Sequence, residues 1–112
     1  MNRILIIGAH FDDSDLGVGG TAAKLVSQGH KVYKYTLTDN ETRFDQRGIN
    51  VNYANSKKQS ALAAQTLGVI EIENTAPLPC STLAYSKHIM QRIESIIFDY
   101  DIDTVFLHSV EI

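Results

Sequence analysis

The chain has 112 residues, of which 44% are hydrophobic, and it carries a formal net charge of −3. This length fits one domain with a core of its own, and the mild negative charge, with no run of Lys or Arg, argues against nucleic acid as a partner. The lone cysteine, Cys80, excludes an internal disulfide framework and suits a reducing compartment. The first apolar run is too short for a signal peptide, and no stretch approaches the ~20 apolar residues that cross a bilayer. We therefore expect one domain over residues 1–112, in the cytoplasm and without membrane insertion.

The first half of the chain alternates between strand and helix patterns. An apolar run over residues 4–7, closed by Gly8, predicts a short buried strand of a parallel sheet. A helical pattern follows over residues 16–28, and alternating apolar and polar residues then predict a second strand over residues 31–38. Residues 39–50 are polar and charged, and the segment is long for a connection, which favours a functional loop there.

The second half continues the alternation. Apolar spacing predicts a second helix over residues 51–67 and a short third strand over residues 69–72. A loop with two prolines follows over residues 73–82, and a third helix then extends to about residue 100. The apolar run 104–107 predicts a fourth buried strand.

This order of elements predicts an α/β fold, a Rossmann-like three-layer sandwich with a mostly parallel sheet. Its crossover connections should be right-handed. The last predicted strand has no covering helix after it, although a parallel sheet buries both of its faces. We therefore expect the chain to form the N-terminal half of a larger domain.

A histidine and three aspartates come directly after the first strand: His10, Asp12, Asp13 and Asp15. Ligands bind at the carboxyl ends of strands in open α/β sheets, so these residues form a candidate site. Imidazole nitrogens and carboxylate oxygens are good ligands for Zn²⁺ and similar divalent ions. His10 and Asp13, three residues apart in a tight turn, can converge on one ion. Asp12 then stays free to take a proton from water beside the metal.

A hydrolytic zinc site needs three protein ligands, and this turn supplies two at most. His108 follows the last predicted strand at the same edge of the sheet, so it is the best third candidate within the chain. His30 precedes a strand at the opposite edge, and His88 lies inside a predicted helix. We expect both of these histidines to be surface residues.

Two other interpretations concern the same segment. Asp12, Asp13 or Ser14 can cap the next helix by accepting its first backbone N–H groups. Histidines at two strand ends favour the metal site over a capping role alone. The glycine-rich stretch 17–20 lies too far from the strand for a dinucleotide-binding fingerprint, so no nucleotide is expected.

Residues 9–21 read Ala-His-Phe-Asp-Asp-Ser-Asp followed by Leu-Gly-Val-Gly-Gly-Thr. This stretch resembles the hallmark of the LmbE-like, or GlcNAc-phosphatidylinositol deacetylase (PIG-L), family, which is Ala-His-Pro-Asp-Asp-x-Glu followed by Leu-Gly-x-Gly-Gly-Thr. Further similarity is found over residues 29–32, 36–41, 67–69 and 104–109. The resemblance therefore covers essentially the whole chain.

The resemblance implies roles for individual residues. His10 and Asp13 match two zinc ligands of the family, and Asp12 matches its general base. The family's third ligand is a histidine several residues beyond the strand end that His108 matches. By this analogy the third ligand lies beyond Ile112, and His108 lies near the site without being the ligand.

The sequence departs from the family pattern at three places. Phe11 replaces the family's proline, which removes a rigid backbone angle from the turn. Asp15 replaces a glutamate and is one methylene shorter. The second helix lacks the family's Arg and Glu and carries Ser56, Lys57 and Gln59 in that region, which puts substrate contacts from this helix in doubt.

The leading hypothesis is a zinc-dependent N-deacetylase, an amidohydrolase that acts on the acetamido group of a GlcNAc-like sugar or glycoconjugate. The segment 39–50, with Asp39 and Arg43, would flank the pocket near the site. The alternative is a truncated or degenerate non-catalytic member that binds metal weakly or not at all. A receiver-type signalling domain is disfavoured because Glu73 and Asn74, and no aspartate, follow the third strand. The sequence does not determine the oligomeric state, and a homo-oligomer is one possibility.

Overall fold

The computed structural model describes residues 1–8, 20–38, 42–44, 49–51, 53–75, 77 and 87–107. Six strands are found in these ranges: β1 (Arg3–Gly8), β2 (Lys31–Thr36), β3 (Thr42–Phe44), β4 (Ile49–Val51), β5 (Ile70–Ile72) and β6 (Thr104–Phe106). The helices in the same ranges are α1 (20–27), α2 (Tyr53–Leu67) and α3 (Lys87–Asp99).

The main sheet has four parallel strands in the order β5-β2-β1-β6. Leu5 of β1 pairs with Tyr33 of β2 on one side and with Val105 of β6 on the other, and Tyr33 pairs in turn with Ile70 of β5. The chain therefore starts in the middle of the sheet, moves to one edge and then crosses to the far side of β1. The predicted parallel α/β fold is confirmed.

Helices cover both faces of this sheet because the side chains of a strand alternate between its two faces. One face packs against α1 and α2, and its buried residues are Ile4, Ile6, Ala22, Val32, Ala64 and Val69. The other face packs against α3, and its buried residues are Leu5, Ile7, Tyr33, Tyr35, Ile72 and Ile96. The continuous apolar run of β1 is thus explained, since both of its faces are buried.

Two glycines end helices α1 and α2 as the sequence predicts. Gly29 and Gly68 have φ angles of 91° and 77°, which other residues adopt only with strain. Val69 donates its backbone N–H to the carbonyl of Ala64 at 2.9 Å, which closes the Schellman motif of α2. These stops direct the chain straight into β2 and β5.

Arg3 fixes the amino end of the sheet. Its Nε donates to the backbone carbonyl of Tyr100 at 2.6 Å, and its Nη2 donates to the hydroxyl of Tyr33 at 2.7 Å. Its backbone N–H donates to the Asp103 carboxylate at 2.9 Å. A hydrogen bond from the Thr104 hydroxyl, and next the one from Arg3, lower the pKa of Asp103 below its usual 3.8. These contacts of Arg3 with Tyr33, Tyr100 and Asp103, which we call the Arg3 clamp, hold β6 in register beside β1.

The expected loop over residues 39–50 is partly wrong. Its described residues include the antiparallel strands β3 and β4, in which Arg43 pairs with Asn50. Helix α2 consequently begins at Tyr53 and not at residue 51, because Val51 belongs to β4. The two strands are three residues each, too short for an alternation of apolar and polar residues to predict them. No helix in the described part of the chain is long and apolar enough to cross a membrane.

Candidate functional site

The carboxyl ends of β1 and β6 lie side by side in the sheet. Ile6 of β1 pairs with Phe106 of β6, two residues before β1 ends at Gly8. The order of strands reverses between β1 and β6, and doubly wound sheets bind ligands at such a switch point. His10 and His108 each come two residues after one of these strand ends in the sequence.

Most predicted site residues lie outside the described ranges, namely His10, Asp12, Asp13, Asp15, Asp39 and His108. Of Arg43, the structure describes the backbone in β3 and its pairing with Asn50. Their roles at the site therefore remain predictions from the sequence. Within the described ranges, no three His, Cys, Asp or Glu residues come together in a way that would hold a metal ion.

The other two histidines lie in different parts of the fold. His30 precedes β2 at the amino edge of the sheet, and its Nδ1 accepts a hydrogen bond from the backbone of Asn2 at 2.9 Å. His88 is an exposed residue of α3, as the sequence predicts, and it lines a cavity with Leu37 and Asn74 near the carboxyl end of β2.

A cavity of about 200 Å³ opens at the carboxyl ends of β2 and β5, beside α2. We call it the edge cavity; its lining residues are Thr36, Thr38, Lys57, Ala61, Glu71, Ile72, Glu73, Asn74 and Pro77. Thr36 pairs with Gly8, the last residue of β1. The edge cavity therefore begins one strand away from the end of β1, a spacing of about 4.8 Å.

Thr36 leaves a polar atom unsatisfied at this cavity. Its side chain is 4% exposed, and its Oγ1 has no hydrogen-bond partner among the described residues. A buried hydroxyl without a partner costs about 1–3 kcal/mol relative to one that is bonded. Buried polar atoms of this kind are uncommon in folded proteins.

Polar groups continue behind the edge cavity, between α2 and the sheet. Ser60 is 3% exposed and donates its hydroxyl to Oε1 of Glu71 at 2.8 Å. Ser56 and Lys34 are buried in the same layer, and Lys34 lies in register with Glu71 on the neighbouring strand. The face of α2 towards the sheet is thus serine and alanine, which lets the helix approach polar strand residues closely.

An ion pair lies at the edge cavity between α2 and the segment after β5. Lys57 Nζ is 2.7 Å from Glu73 Oε1, and both side chains are partly exposed. The hydrogen bond from Lys57, together with its charge, lowers the pKa of Glu73 below the usual 4.5. Glu73 is therefore a carboxylate at neutral pH, and its charge is balanced by Lys57.

Asn74 ties the end of β5 to the end of β2. Its amide nitrogen donates to the backbone carbonyl of Thr36 at 3.0 Å and to that of Leu37 at 3.4 Å. A second cavity of about 230 Å³ lies beyond it towards α3, where the Arg92 guanidinium sits 6.0 Å from the ring centre of Tyr35. Asn74 lines both cavities and separates them.

Sequence reasoning missed the edge cavity and its residues. Thr36 and Ser60 are ordinary residues of a strand and a helix, and no motif marks them. They meet because β5 pairs with β2 and because α2 packs over that pair, and these contacts join residues far apart in the chain. The excess of polar residues on the buried side of α2 was the only available signal.

Comparison with known proteins gives a family and several similar structures. The sequence model of the GlcNAc-PI de-N-acetylase (PIG-L) family matches residues 5–111. A triple mutant of the deacetylase of the teicoplanin biosynthetic pathway superposes with a TM-score of 0.80 at 21% identity, over 96% of this chain and 51% of that one. N,N′-diacetylchitobiose deacetylase from Pyrococcus horikoshii superposes with a TM-score of 0.74 at 25% identity, over 94% of this chain and 40% of that one.

A third similar structure has a different activity. The 4-carboxy-2-hydroxymuconate hydratase GalB from Pseudomonas putida KT2440 superposes with a TM-score of 0.80 at 18% identity, over 100% of this chain and 49% of that one. The chain thus spans about half the length of these proteins or less. At such identities, the likeness to the hydratase and to the teicoplanin enzyme shows the fold alone.

Proposed function

The chain belongs to the GlcNAc-PI de-N-acetylase (PIG-L) family, and on that basis we propose that the protein is a zinc-dependent N-deacetylase of a GlcNAc-like sugar or glycoconjugate. The match over residues 5–111 carries this proposal, and it confirms the resemblance of residues 9–21. The similar structure from Pyrococcus horikoshii, at 25% identity, is named as a deacetylase, which supports amide hydrolysis. The proposal goes beyond the family match in two respects, the requirement for zinc and the sugar substrate.

We assign the chemistry to residues 10–13, which follow β1 in the sequence. The imidazole of His10 and the carboxylate of Asp13 would hold Zn²⁺, whose donor preferences they fit. When bound, the metal lowers the pKa of a water ligand and stabilises negative charge on the acetyl oxygen. Asp12 would accept the proton of the attacking water and pass it to the leaving amine.

A third ligand is needed, and we propose that it comes from residues that follow β6. This strand ends beside β1, so residues after it start at the same edge of the sheet. His108 is the candidate inside the chain, and the family pattern favours a histidine further on. Asp15, Asp39 and Arg43 would lie around the pocket, where charged and polar side chains can bind sugar hydroxyls.

A non-catalytic member is the second candidate. Phe11 in place of the family's proline and Asp15 in place of its glutamate both lie within the metal-binding turn. If these changes misplace His10 or Asp13, the fold persists while zinc binding is lost. Such a protein would show weak or no affinity for Zn²⁺ and no hydrolysis.

The test is acetate release from N-acetylglucosamine and its glycosides by the full-length protein with Zn²⁺. Asp12→Asn should lower kcat by at least about 100-fold, within the range that a general base contributes. Asp99→Asn, an exposed carboxylate on α3, is the matched control and should leave kcat unchanged. Acetate release also separates a deacetylase from a hydratase, which frees no acetate. Hydrolysis that survives Asp12→Asn within a few-fold would refute the assigned base.

A further inference from the structure

We infer that the second cavity, which lies between the end of β2 and α3, is a binding site for a small organic carboxylate. We call it the α3 cavity, and its described lining residues include Arg92, His88 and Tyr35. None of its described lining residues belongs to residues 10–13, to which the hydrolysis is assigned. The site therefore stands or falls independently of the proposed function.

Basic side chains line the α3 cavity without an acidic counterpart. Its described lining residues include the guanidinium of Arg92 and the imidazole of His88, and none of them is Asp or Glu. Acidic residues outnumber basic ones in the whole chain, 13 to 10, so this lining departs from the average charge of the protein. The two side chains are four residues apart on α3 and therefore lie on the same side of the helix. Such a cavity attracts a negatively charged ligand.

Arg92 is held by an aromatic ring and keeps its hydrogen-bond donors. The guanidinium carbon lies 6.0 Å from the centre of the Tyr35 ring, at the outer limit of a cation–π contact. The ring belongs to a residue of β2 that is 2% exposed, so the sheet fixes its position. Within the described part of the chain, no carboxylate forms an ion pair with Arg92. Because a cation–π contact uses none of the five N–H donors of the guanidinium, these remain available to a ligand.

The donors at this cavity match a carboxylate. A guanidinium can donate two parallel hydrogen bonds to the two oxygens of one carboxylate. The hydroxyl of Thr75 and a ring nitrogen of His88 can each donate one more. A phosphate has more oxygens and carries up to two charges, so these few donors would leave part of its charge uncompensated. Leu37 and Ile89 add apolar surface for the carbon atoms of an organic acid.

The α3 cavity is small, and one of its walls is fixed. Its volume of about 230 Å³ corresponds to seven or eight waters at ~30 Å³ each, and it lies below the ~300 Å³ at which drug-sized pockets begin. This space suits a short-chain acid. Asn74 fixes the wall at the strand ends, because its amide donates to the backbone carbonyls of Thr36 at 3.0 Å and Leu37 at 3.4 Å. A preformed wall of this kind loses little freedom when a ligand binds.

The test is an NMR titration of the full-length protein with sodium succinate at constant ionic strength. Succinamide, its neutral analogue, and inorganic phosphate are the comparison probes. Succinate should shift the Nε–H signal of Arg92 and the side-chain amide signals of Asn74 in a saturable way. Because Arg92 and His88 are both exposed to solvent, which screens their charge, we expect a Kd in the millimolar range. Succinamide and phosphate should bind at least about tenfold more weakly.

Arg92→Met removes the guanidinium and should weaken succinate binding about tenfold or more, the usual effect of losing a hydrogen bond to a charged group. Its fold should persist, because Arg92 is exposed and its described contact is with one ring. Lys58→Met is the control, since it removes the same charge from an exposed residue of α2 that does not line the α3 cavity, and it should leave the affinity unchanged. Equal affinities of Arg92→Met and the unaltered protein, or equal losses in both variants, would overturn the site. Succinamide or phosphate that binds as tightly as succinate would overturn its assignment to a carboxylate.

Discussion

Lys57 of α2 and Glu73 after β5 are joined by a hydrogen-bonded ion pair of 2.7 Å at the edge cavity. The pair crosses from the helix to the sheet, so it connects two walls of the same cavity. Because Lys57 holds the pKa of Glu73 below 4.5 in the folded state, the pair stabilises the fold above that pH. The contribution is lost as the pH falls through the lowered pKa.

Lys57→Met removes the partner and keeps the aliphatic stem of the side chain. We expect the pKa of Glu73 to rise towards its ordinary value of 4.5, which an NMR titration of the side-chain carboxyl measures directly. The pH dependence of unfolding should shrink in the acid range for the same reason. Lys58→Met, an exposed neighbour on α2, is the control. An unchanged Glu73 titration in Lys57→Met would show that the pair does not persist in solution.

Two features of Gly68 disfavour any larger residue at this position: its backbone conformation and the lack of space for a side chain. Its φ of 77° costs a non-glycine residue about 1–2 kcal/mol, and an added Cβ would lie 2.8 Å from Cγ1 of Val26. Gly29 has a φ of 91° but nothing within 4 Å of an added Cβ. Gly68→Ala should therefore destabilise the protein more than Gly29→Ala. The expected difference is about 1–3 kcal/mol, the usual cost of overpacking.

Urea unfolding of both variants measures this difference. The background Val26→Ala separates the two causes, because it removes the side chain that an added Cβ would touch and leaves the backbone strain. In that background, Gly68→Ala and Gly29→Ala should cost similar free energies of unfolding. If the excess cost of Gly68→Ala persisted without the Val26 side chain, the close contact would not be its cause.

The residue that adopts the left-handed conformation after helix α3 is an aspartate, Asp101, and not a glycine. Asp101 has a φ of 53°, and the backbone N–H of Ile102 donates to the carbonyl of Ile97 at 2.9 Å, as in the Schellman ends of the other helices. Asp101→Gly relieves the left-handed strain, so we expect about 0.5–1 kcal/mol of added stability. Asp99→Gly, in the last turn of the helix, should instead destabilise by about 0.5–1 kcal/mol. Thermal unfolding checks both signs, and a loss of stability in Asp101→Gly would contradict the explanation.

The Arg3 clamp at the amino edge of the sheet predicts that the hydroxyls of Tyr33 and Tyr100 contribute differently to the free energy of unfolding. Tyr33 is 4% exposed and its hydroxyl accepts a hydrogen bond from Arg3 at 2.7 Å, whereas Tyr100 contacts Arg3 through its backbone carbonyl. Tyr33→Phe should cost about 1.5–3 kcal/mol, since the lost bond involves a charged donor. Tyr100→Phe should change the free energy of unfolding by less than about 0.5 kcal/mol. Equal effects of the two changes would show that the hydroxyl bond adds no stability.

The fold was largely predictable from local signals, and the edge cavity was not. The apolar run 4–7 and the glycines at 29 and 68 marked a buried strand and two helix ends by residue type alone. The antiparallel pair β3 and β4 was not predicted because strands of three residues are too short to show a periodicity. Thr36 escaped because its burial depends on which strands are neighbours and on α2 above them. The pattern of one segment does not predict which distant segment it pairs with.

Metal binding gives the most direct check on the roles proposed for residues 10–13. If His10 and Asp13 hold Zn²⁺, His10→Ala should weaken binding in calorimetry by more than the roughly 10–100-fold that the loss of an outer partner costs. His30→Ala is the matched control, because His30 lies at the amino edge of the sheet, and it should leave the affinity unchanged. A chelator should abolish acetate release, and added Zn²⁺ should restore it to the unaltered chain but not to His10→Ala. Equal zinc affinities of His10→Ala and the unaltered chain would place the ion elsewhere and remove the basis for Asp12 as the base.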